Sequence, residues 1–356
     1  MDNKPSILIV DDESFYLDLL LSLLLPLYKV SVAKNGDQAI KRANAKHPPL
    51  LILLDVIMPG MDGYQVCEKL KLAPSTSDIP IVFLTGKSEV DDEIRGLELG
   101  AVDYISKPIS PPILLARVKN HLALAQQHIA LEGLVMERTE QIEKTKDAVT
   151  YSMGALAEAR DNETSNHLKR TQQYVRILAE KLNQHESFHG HLNAKTVDMI
   201  TSAAPLHDIG KIDLPDRILC KPSKFSEEEK LEMNKHTLYG RTALEKAESD
   251  IGHIPYLKIA KEITYCHHER WDGSGYPEGL KEGEIPLAAR LMAVADVYDA
   301  LISKRHYRRA FSHEEAVTYI ENNSGAHFDP LLVEIFKHTH EEFNAIANRY
   351  TDSNPG

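Results

Sequence analysis

Between residues 5 and 125 the chain alternates short apolar or β-branched runs with amphipathic stretches. The runs read SILIV (6–10), YKVSVA (28–33), LLILLD (50–55), IPIVFL (79–84) and VDYI (102–105). Unbroken apolar runs of this length suit strands buried on both faces. Helical periodicity fills the intervals near 13–25, 36–46, 63–72, 87–98 and 110–125. A strict βα alternation of this kind predicts a doubly wound parallel sheet. From 110 the helical pattern continues to about 150 without a Gly-Pro break. Along it Leu122, Ala125 and Ile129 follow an a/d seam, while Val135, Ile142 and Val149 follow a seven-residue repeat displaced by one place. That pattern fits a short parallel coiled coil or a solvated connector. Beyond 150 the pattern is helical almost throughout, with loops at HESFHGHLN, LPDRILCKPSKFS, WDGSGYPEGLKEGEIP and NNSGAHFDP. The expected organisation is an α/β domain over 1–125, a helical linker over 126–150, an all-α domain over 151–345 and a tail over 346–356.

Composition narrows the function classes. A 42% hydrophobic and 26% charged chain can bury ordinary cores, and its net charge of −12 argues against a general nucleic-acid or membrane-surface binder. Cys67, Cys220 and Cys266 show no C-x-x-C spacing, which reads as reduced thiols rather than disulfides. The apolar stretch YLDLLLSLLLPLYKV is interrupted by Asp18 and Pro26 and is too short to span a bilayer. A cytoplasmic protein is expected.

In a doubly wound sheet, ligands bind beyond the carboxyl ends of the strands. Asp11 and Asp12 end the first apolar run, Asp55 the third and Thr85 the fourth, while Lys107, followed by Pro108, lies just past the fifth. Converging carboxylates make an oxygen site suited to Mg²⁺, and a lysine with a hydroxyl beside them suits a phosphoryl group. The set IVDDE, LLDVIMPGMDG, FLTG and YISKP resembles the flavodoxin-like receiver domain of two-component response regulators over residues 5 to about 125. The resemblance implies that Asp55 accepts the phosphoryl group, that Asp11, Asp12 and Asp55 with the Ile57 carbonyl arrange Mg²⁺, and that Thr85, Tyr104 and Lys107 form the switch. It also implies a cis Lys107-Pro108 bond and a sensor histidine kinase as partner.

The second half carries a scattered set of metal-capable residues. Glu163 and His167 stand at i, i+4, hence on one helical face; His207-Asp208 is followed by Lys211; His236, the pair His267-His268, and Asp296 with Asp299 come later. Neighbouring residues on a helix project about 100° apart, so adjacent imidazoles favour two metals bridged by a carboxylate such as Asp208. Mixed His/carboxylate donors suit Fe, Mn or Zn better than Mg or Ca. Gly273 and Gly275 suit a tight turn with positive φ, and Pro277 stiffens its exit, so the loop around Tyr276 can close over a ligand. The segment SKRHYRRAF adds Arg305, Arg308 and Arg309 as a local basic cluster.

The ordered motifs ETSNH, HDIGK, HHERWDGSGYP and ADVYD resemble the HD-GYP family of HD phosphohydrolases over about 150–345. The resemblance implies hydrolysis of cyclic di-GMP to pGpG and on to GMP. It implies two or three transition-metal ions held by Glu163, His167, His207, Asp208, His236, His267, His268 and Asp296. Asp208 and Lys211 would act at the scissile phosphate, with Tyr276, Arg305 and Arg308 on the substrate; Tyr276 would meet a guanine or a partner protein. His306 stands where the family carries a proline. The expected protein is thus a phosphorylation-controlled diesterase and a homodimer. A cyclic di-GMP sensor or scaffold without useful turnover, and an enzyme for another cyclic dinucleotide, are the rival readings.

Overall fold

The computed structural model of the chain describes residues 4–86, 90–160, 165–185, 192–221, 223–304 and 309–351. It divides into two compact units, Met1–Glu140 and Gln141–Gly356. In the first, the apolar runs become β1 (Ser6–Val10), β2 (Lys29–Ala33), β3 (Leu51–Asp55), β4 (Ile81–Thr85) and β5 (Asp103–Ser106). Between them lie α1 (Ser14–Leu24), α2 (Gly36–Ala43), α3 (Gly63–Leu72) and α4 (Val90–Glu98), followed by α5 (Pro111–Glu158). All strand pairs are parallel, in the order β2-β1-β3-β4-β5, with Ile7 beside Val30 on one side and Leu51 on the other.

The pleat explains the unbroken runs. Leu8, Val10, Ile52, Leu54, Ile81 and Phe83 enter a core shared with Val66, Cys67 and Leu70 of α3. Their neighbours Ile7, Ile9, Leu51, Leu53, Val82 and Leu84 enter another, with Leu17, Leu20 and Leu24 of α1 and Leu114 and Val118 of α5. Both faces are covered, so the polar alternation of a half-exposed strand is absent.

Two element ends differ from the pattern-based expectation. Helix α2 stops at Ala43, where Asn44 forms the C-cap, and α5 continues past 150 to Glu158 with Pro111 and Pro112 in its first turn, where a missing N–H costs nothing. Helix α5 therefore starts in the first unit and ends in the second, and Val135, Ile142 and Val149 are exposed along it.

The second unit is helical: α6 (Ser165–Gln184), α7 (Ala194–Ala203), α8 (Asp216–Leu219), α9 (Glu227–Asn234), α10 (His236–Ile251), α11 (Pro255–Cys266), α12 (Leu287–Ile302), α13 (His313–Asn322) and α14 (Pro330–Arg349). Its centre is α12, which buries Ala288, Leu291, Met292, Val294, Ala295, Tyr298, Asp299 and Leu301. A helix apolar almost all round belongs in an interior, so the carboxylates it carries are drawn inward with it. Tyr174 of α6 and Phe343 of α14 stack at 4.3 Å, and Tyr298 meets them edge-on at 5.3 and 5.2 Å. Among the described residues no helix is long and apolar enough to cross a membrane.

Candidate functional site

The first unit collects its polar residues at the carboxyl ends of β1, β3, β4 and β5. Asp11 and Asp55 are buried, and one oxygen from each of Asp11, Asp12 and Asp55 lies within 4.8 Å of the others. Lys107 Nζ reaches Asp11 Oδ2 at 2.9 Å and Asp55 Oδ1 at 3.0 Å, and it lies 4.0 Å above the Tyr16 ring. Burial pushes the Asp55 carboxyl up to about 6; the Lys107 bond opposes this, while the Asp11 and Asp12 charges add to it. Burial alone would lower the Lys107 pKa, but its bonds to Asp11 and Asp55 outweigh that and raise it. A divalent cation among these oxygens would relieve the like-charge crowding. Thr85 is buried at the end of β4, Tyr104 is half-buried on β5, and both line a small cavity with Val56, Phe83 and Ala101. Ile57 is exposed, and the Lys107-Pro108 bond is cis.

The second unit draws its ligand candidates from distant segments. Ala204–Leu206 and Ile209–Asp213 are 3₁₀ turns flanking His207 and Asp208, and Gly210 makes their position possible. A Cβ on Gly210 would lie 1.9 Å from the His236 carbonyl oxygen and 2.4 Å from Gly240 N, so only glycine lets this turn lie against α10. Asp208 then sits among imidazoles. Its Oδ1 is 3.2 Å from His236 Nε2 and 3.5 Å from His267 Nε2, and its Oδ2 is 3.4 Å from His207 Nε2. Two groups have ligand atoms within 4.8 Å of one another: Asp208, His236, His267 and His268, and beside them Glu158, His167 and His207. His167 Nε2 stands 3.6 Å from Glu158 Oε1 and 3.7 Å from Asp296 Oδ1.

Hydrogen bonding fixes what the rings present. His207 Nδ1 is 3.0 Å from the Ala204 carbonyl, His236 Nδ1 2.8 Å from that of Met233, and His267 Nδ1 3.0 Å from that of Ile263. A carbonyl only accepts, so each Nδ1 carries the proton and each Nε2 turns a lone pair toward the site. Buried His207 Nε2, His236 Nε2, His267 Nε2 and Asp208 Oδ1 make no hydrogen bond among the described residues. Lone pairs of three imidazoles facing a carboxylate repel one another unless a cation lies between them. With one oxygen toward His207 and the other toward His236 and His267, Asp208 suits the bridge of a two-cation centre. Burial lowers His207 to about 4, with Asp208 and Asp296 opposing; burial and the neighbouring His267 and His236 put His268 well below its usual value. Neither ring needs to lose a proton near neutral pH to act as a ligand.

The adjacency of His267 and His268 has a different origin from the one expected of a helix. Helix α11 ends at Cys266, so the pair lies in the turn beyond it, with ring centroids 4.0 Å apart, and both rings reach the same Asp208 group. The third residue of the tripeptide, Glu269, is buried and accepts from the backbone N–H groups of Glu278 (2.8 Å), Gly279 (3.1 Å) and Leu280 (3.1 Å). It ties the Gly-Tyr-Pro loop to the ligand turn. Within that loop Gly273 has the expected positive φ of 82°, but Gly275 does not: its requirement is space, since a Cβ there would lie 2.3 Å from Arg270 N. The Tyr276 ring lies tilted, 4.8 Å from that of His268; burial, then the Asp208 and Asp296 charges, push its phenol upward, so it stays a donor. Glu269→Gln is expected to speed amide exchange at 278–280 while leaving the bound metal content unchanged. Each weakened bond is worth about 1 kcal/mol, and hydrogen-exchange mass spectrometry with metal analysis reads both effects.

Lys211 is buried with Nζ 2.8 Å from Asp208 Oδ2. Burial alone would raise the Asp208 carboxyl, yet Lys211 and His207 hold it well below its usual range. Asp299 is also buried. Its Oδ2 is 2.8 Å from His167 Nδ1, and it takes two bonds from Arg170, Nε at 2.6 Å and Nη2 at 2.8 Å. This carboxylate orients His167, as partners behind metal-ligating histidines do.

Glu158 is not among the residues the sequence singles out; it lies beyond the linker expected over 126–150, at the end of α5. Its signal was an acid at the end of α5, shortly before His167. The residue expected there, Glu163, lies outside the described residues, as do Arg305, His306 and Arg308.

Residues 7–119 match the model of the response regulator receiver domain, and 152–332 match an HD domain. A Vibrio cholerae protein named "Probable cyclic di-GMP phosphodiesterase" is 46% identical over 98% of this chain and 81% of its own length. A Thermotoga maritima "Cyclic di-GMP phosphodiesterase" is 34% identical over 98% of this chain and 94% of its own. The Xanthomonas campestris "Cyclic di-GMP phosphodiesterase response regulator RpfG" is 35% identical over 85% and 78%. Fold and site thus define a phosphoryl-receiver domain joined to a metal-dependent hydrolase domain. The chain belongs to the family of response regulators that carry an HD domain.

Proposed function

We propose that this chain hydrolyses cyclic di-GMP, to pGpG and on to GMP, under the control of phosphorylation at Asp55. The observation that carries the catalytic part is the ring of imidazole lone pairs directed at Asp208. His207, Asp208, His236, His267 and His268 would hold divalent ions of the iron, manganese or zinc type, with His167, Glu158 and Asp296 on the neighbouring side. When bound there, such ions acidify water and offset the charge developing on a phosphoryl group. Asp208 keeps its negative charge because Lys211 stands against it, and the Lys211 ammonium places a cation beside the same phosphoryl position. Tyr276 keeps its proton and can donate it to a phosphoryl or guanine oxygen, while its ring shields the His268 side of the site from water. Glu269 holds the loop from which Tyr276 projects. The carry-over of substrate rests on the three relatives' names together with this donor set.

In the receiver, Asp55 would take the phosphoryl group from a sensor histidine kinase, Asp11 and Asp12 would share Mg²⁺ with it, and Lys107 would balance the phosphoryl oxygens. Thr85 and Tyr104, lining one cavity, would register the change. Metal-loaded protein is expected to hydrolyse cyclic di-GMP and to stop when a chelator is added. Protein that binds metal stoichiometrically yet leaves the dinucleotide intact would sink the reading, and faster turnover of a mixed cyclic dinucleotide would reassign the substrate. An Asp55→Asn chain is expected to keep basal turnover and lose any response to a small phosphodonor. An undiminished response would refute control through Asp55.

A further inference from the structure

The second unit gathers another set of imidazoles apart from that site. His313 opens α13, His340 lies in α14, and Glu341 follows it; ligand atoms from all three lie within 4.8 Å of one another. His313 Nε2 is 2.9 Å from His340 Nδ1; His340 and Glu341 are neighbours on α14 and leave it in different directions, yet the longer Glu341 side chain brings its Oε1 to 3.8 Å from His340 Nδ1. On its other side, His313 Nδ1 is 2.8 Å from the hydroxyl of Tyr298, which is fully buried. We propose that His313, His340 and Glu341 form a second, peripheral binding site for one divalent late-transition cation, best fitted by zinc, with Tyr298 as the buried group that orients His313.

Facing imidazole nitrogens this close hold a single proton between them. A tautomer shift clears it: if the His313 proton moves to Nδ1, where the Tyr298 oxygen accepts it, Nε2 presents a lone pair beside that of His340 Nδ1. No proton leaves the pair, so a cation need not compete with bulk acidity near neutral pH. Tetrahedral zinc with 2.0–2.1 Å bonds sets its ligands about 3.3 Å apart, so the nitrogens have only a few tenths of an ångström to separate. Burial and the neighbouring His340 lower the His313 pKa, with Glu341 and Glu314 opposing. Two imidazoles and one carboxylate suit zinc, copper or nickel, and serve calcium or magnesium poorly. His340 is half-buried and Glu341 exposed, so a cation can enter from solvent and keep a water as its fourth ligand. Bound there, it would clip α13 to α14.

The test uses the full chain already loaded with manganese. Histidine carbethoxylation is read residue by residue by mass spectrometry, with and without micromolar Zn²⁺. Labelling of His313 and His340 is expected to slow several-fold, while exposed His253 and His338 label at an unchanged rate. His340→Gln, which leaves the Tyr298–His313 bond in place, is expected to abolish protection at His313, and Glu341→Gln to weaken it. Both should leave cyclic di-GMP turnover unaltered, which separates this site from the proposed catalytic one. Unchanged labelling of the pair, or equal protection of His253 and His338, overturns the proposal.

Discussion

Asp208→Ala is expected to lower cyclic di-GMP turnover on the order of 10³-fold or more, a loss of about 4 kcal/mol of transition-state stabilisation, and to remove bound metal. Both Asp208 oxygens face imidazole nitrogens at 3.2 to 3.5 Å, so one carboxylate addresses His207, His236 and His267 together. The same substitution breaks the buried ion pair with Lys211, whose Nζ lies 2.8 Å from Asp208. Breaking a buried pair typically costs about 3–5 kcal/mol. Wild-type protein should also be destabilised by a chelator, because withdrawing the cation leaves the lone pairs facing one another, whereas the variant should respond far less. Thermal melts with and without chelator, beside metal analysis, measure this. Equal chelator sensitivity in the two proteins would contradict a metal centre at Asp208.

Asp299→Asn carries the second large effect, and it separates orientation from ligation. Asp299 Oδ2 faces both His167 Nδ1 and Arg170 Nη2, and Oδ1 faces Arg170 Nε. An amide must put its NH₂ on one of those oxygen positions. On the Oδ1 side it opposes Arg170 Nε; on the Oδ2 side it opposes Arg170 Nη2 and drives the His167 proton to Nε2, the nitrogen that faces Glu158 and Asp296. Metal affinity should fall about 10–100-fold, the usual range for partners behind a ligand. Asp299→Ala goes further by removing a charge partner of the buried Arg170 guanidinium, which also donates to the Tyr350 carbonyl and the Ser303 hydroxyl; breaking such a buried pair costs about 3–5 kcal/mol and roughly 10 °C in melting temperature for a unit of this size. Metal titration and calorimetry on the two variants distinguish the effects; a His167 that keeps its metal affinity in Asp299→Asn would remove the orienting role.

Most of the receiver site was legible because its residues lie at strand ends, and strand ends are marked in the chain by the stop of an apolar run. Asp11, Asp55, Thr85 and Lys107 are found by counting along the sequence, and the parallel sheet brings them together. The second site is built differently. His167 and Asp299 touch across 132 positions, and Glu158 meets His207 from the end of a helix whose periodicity suggests a coiled coil or a connector rather than a site. No period of 2 or 3.6 encodes such contacts, so composition could suggest which residues bind but not which one stands behind which. Glu269 was hidden for another reason. It follows two histidines and precedes Arg270, and nothing in the sequence marks that its oxygens serve backbone amides of the neighbouring loop.

The tripeptide His267-His268-Glu269 consequently works as a yoke. Two members reach the Asp208 group and the third grips the loop carrying Tyr276, along one short turn of backbone. On the proposed reading, a ligand that draws the loop inward would pull on the imidazoles, and a cation among the imidazoles would bear on the height of the loop. Reciprocity then makes the two occupancies a single coupled quantity: dinucleotide should tighten the hold on metal by the same factor by which metal tightens the hold on dinucleotide, so a cell short of metal would lose grip on the signal as well as the means to destroy it.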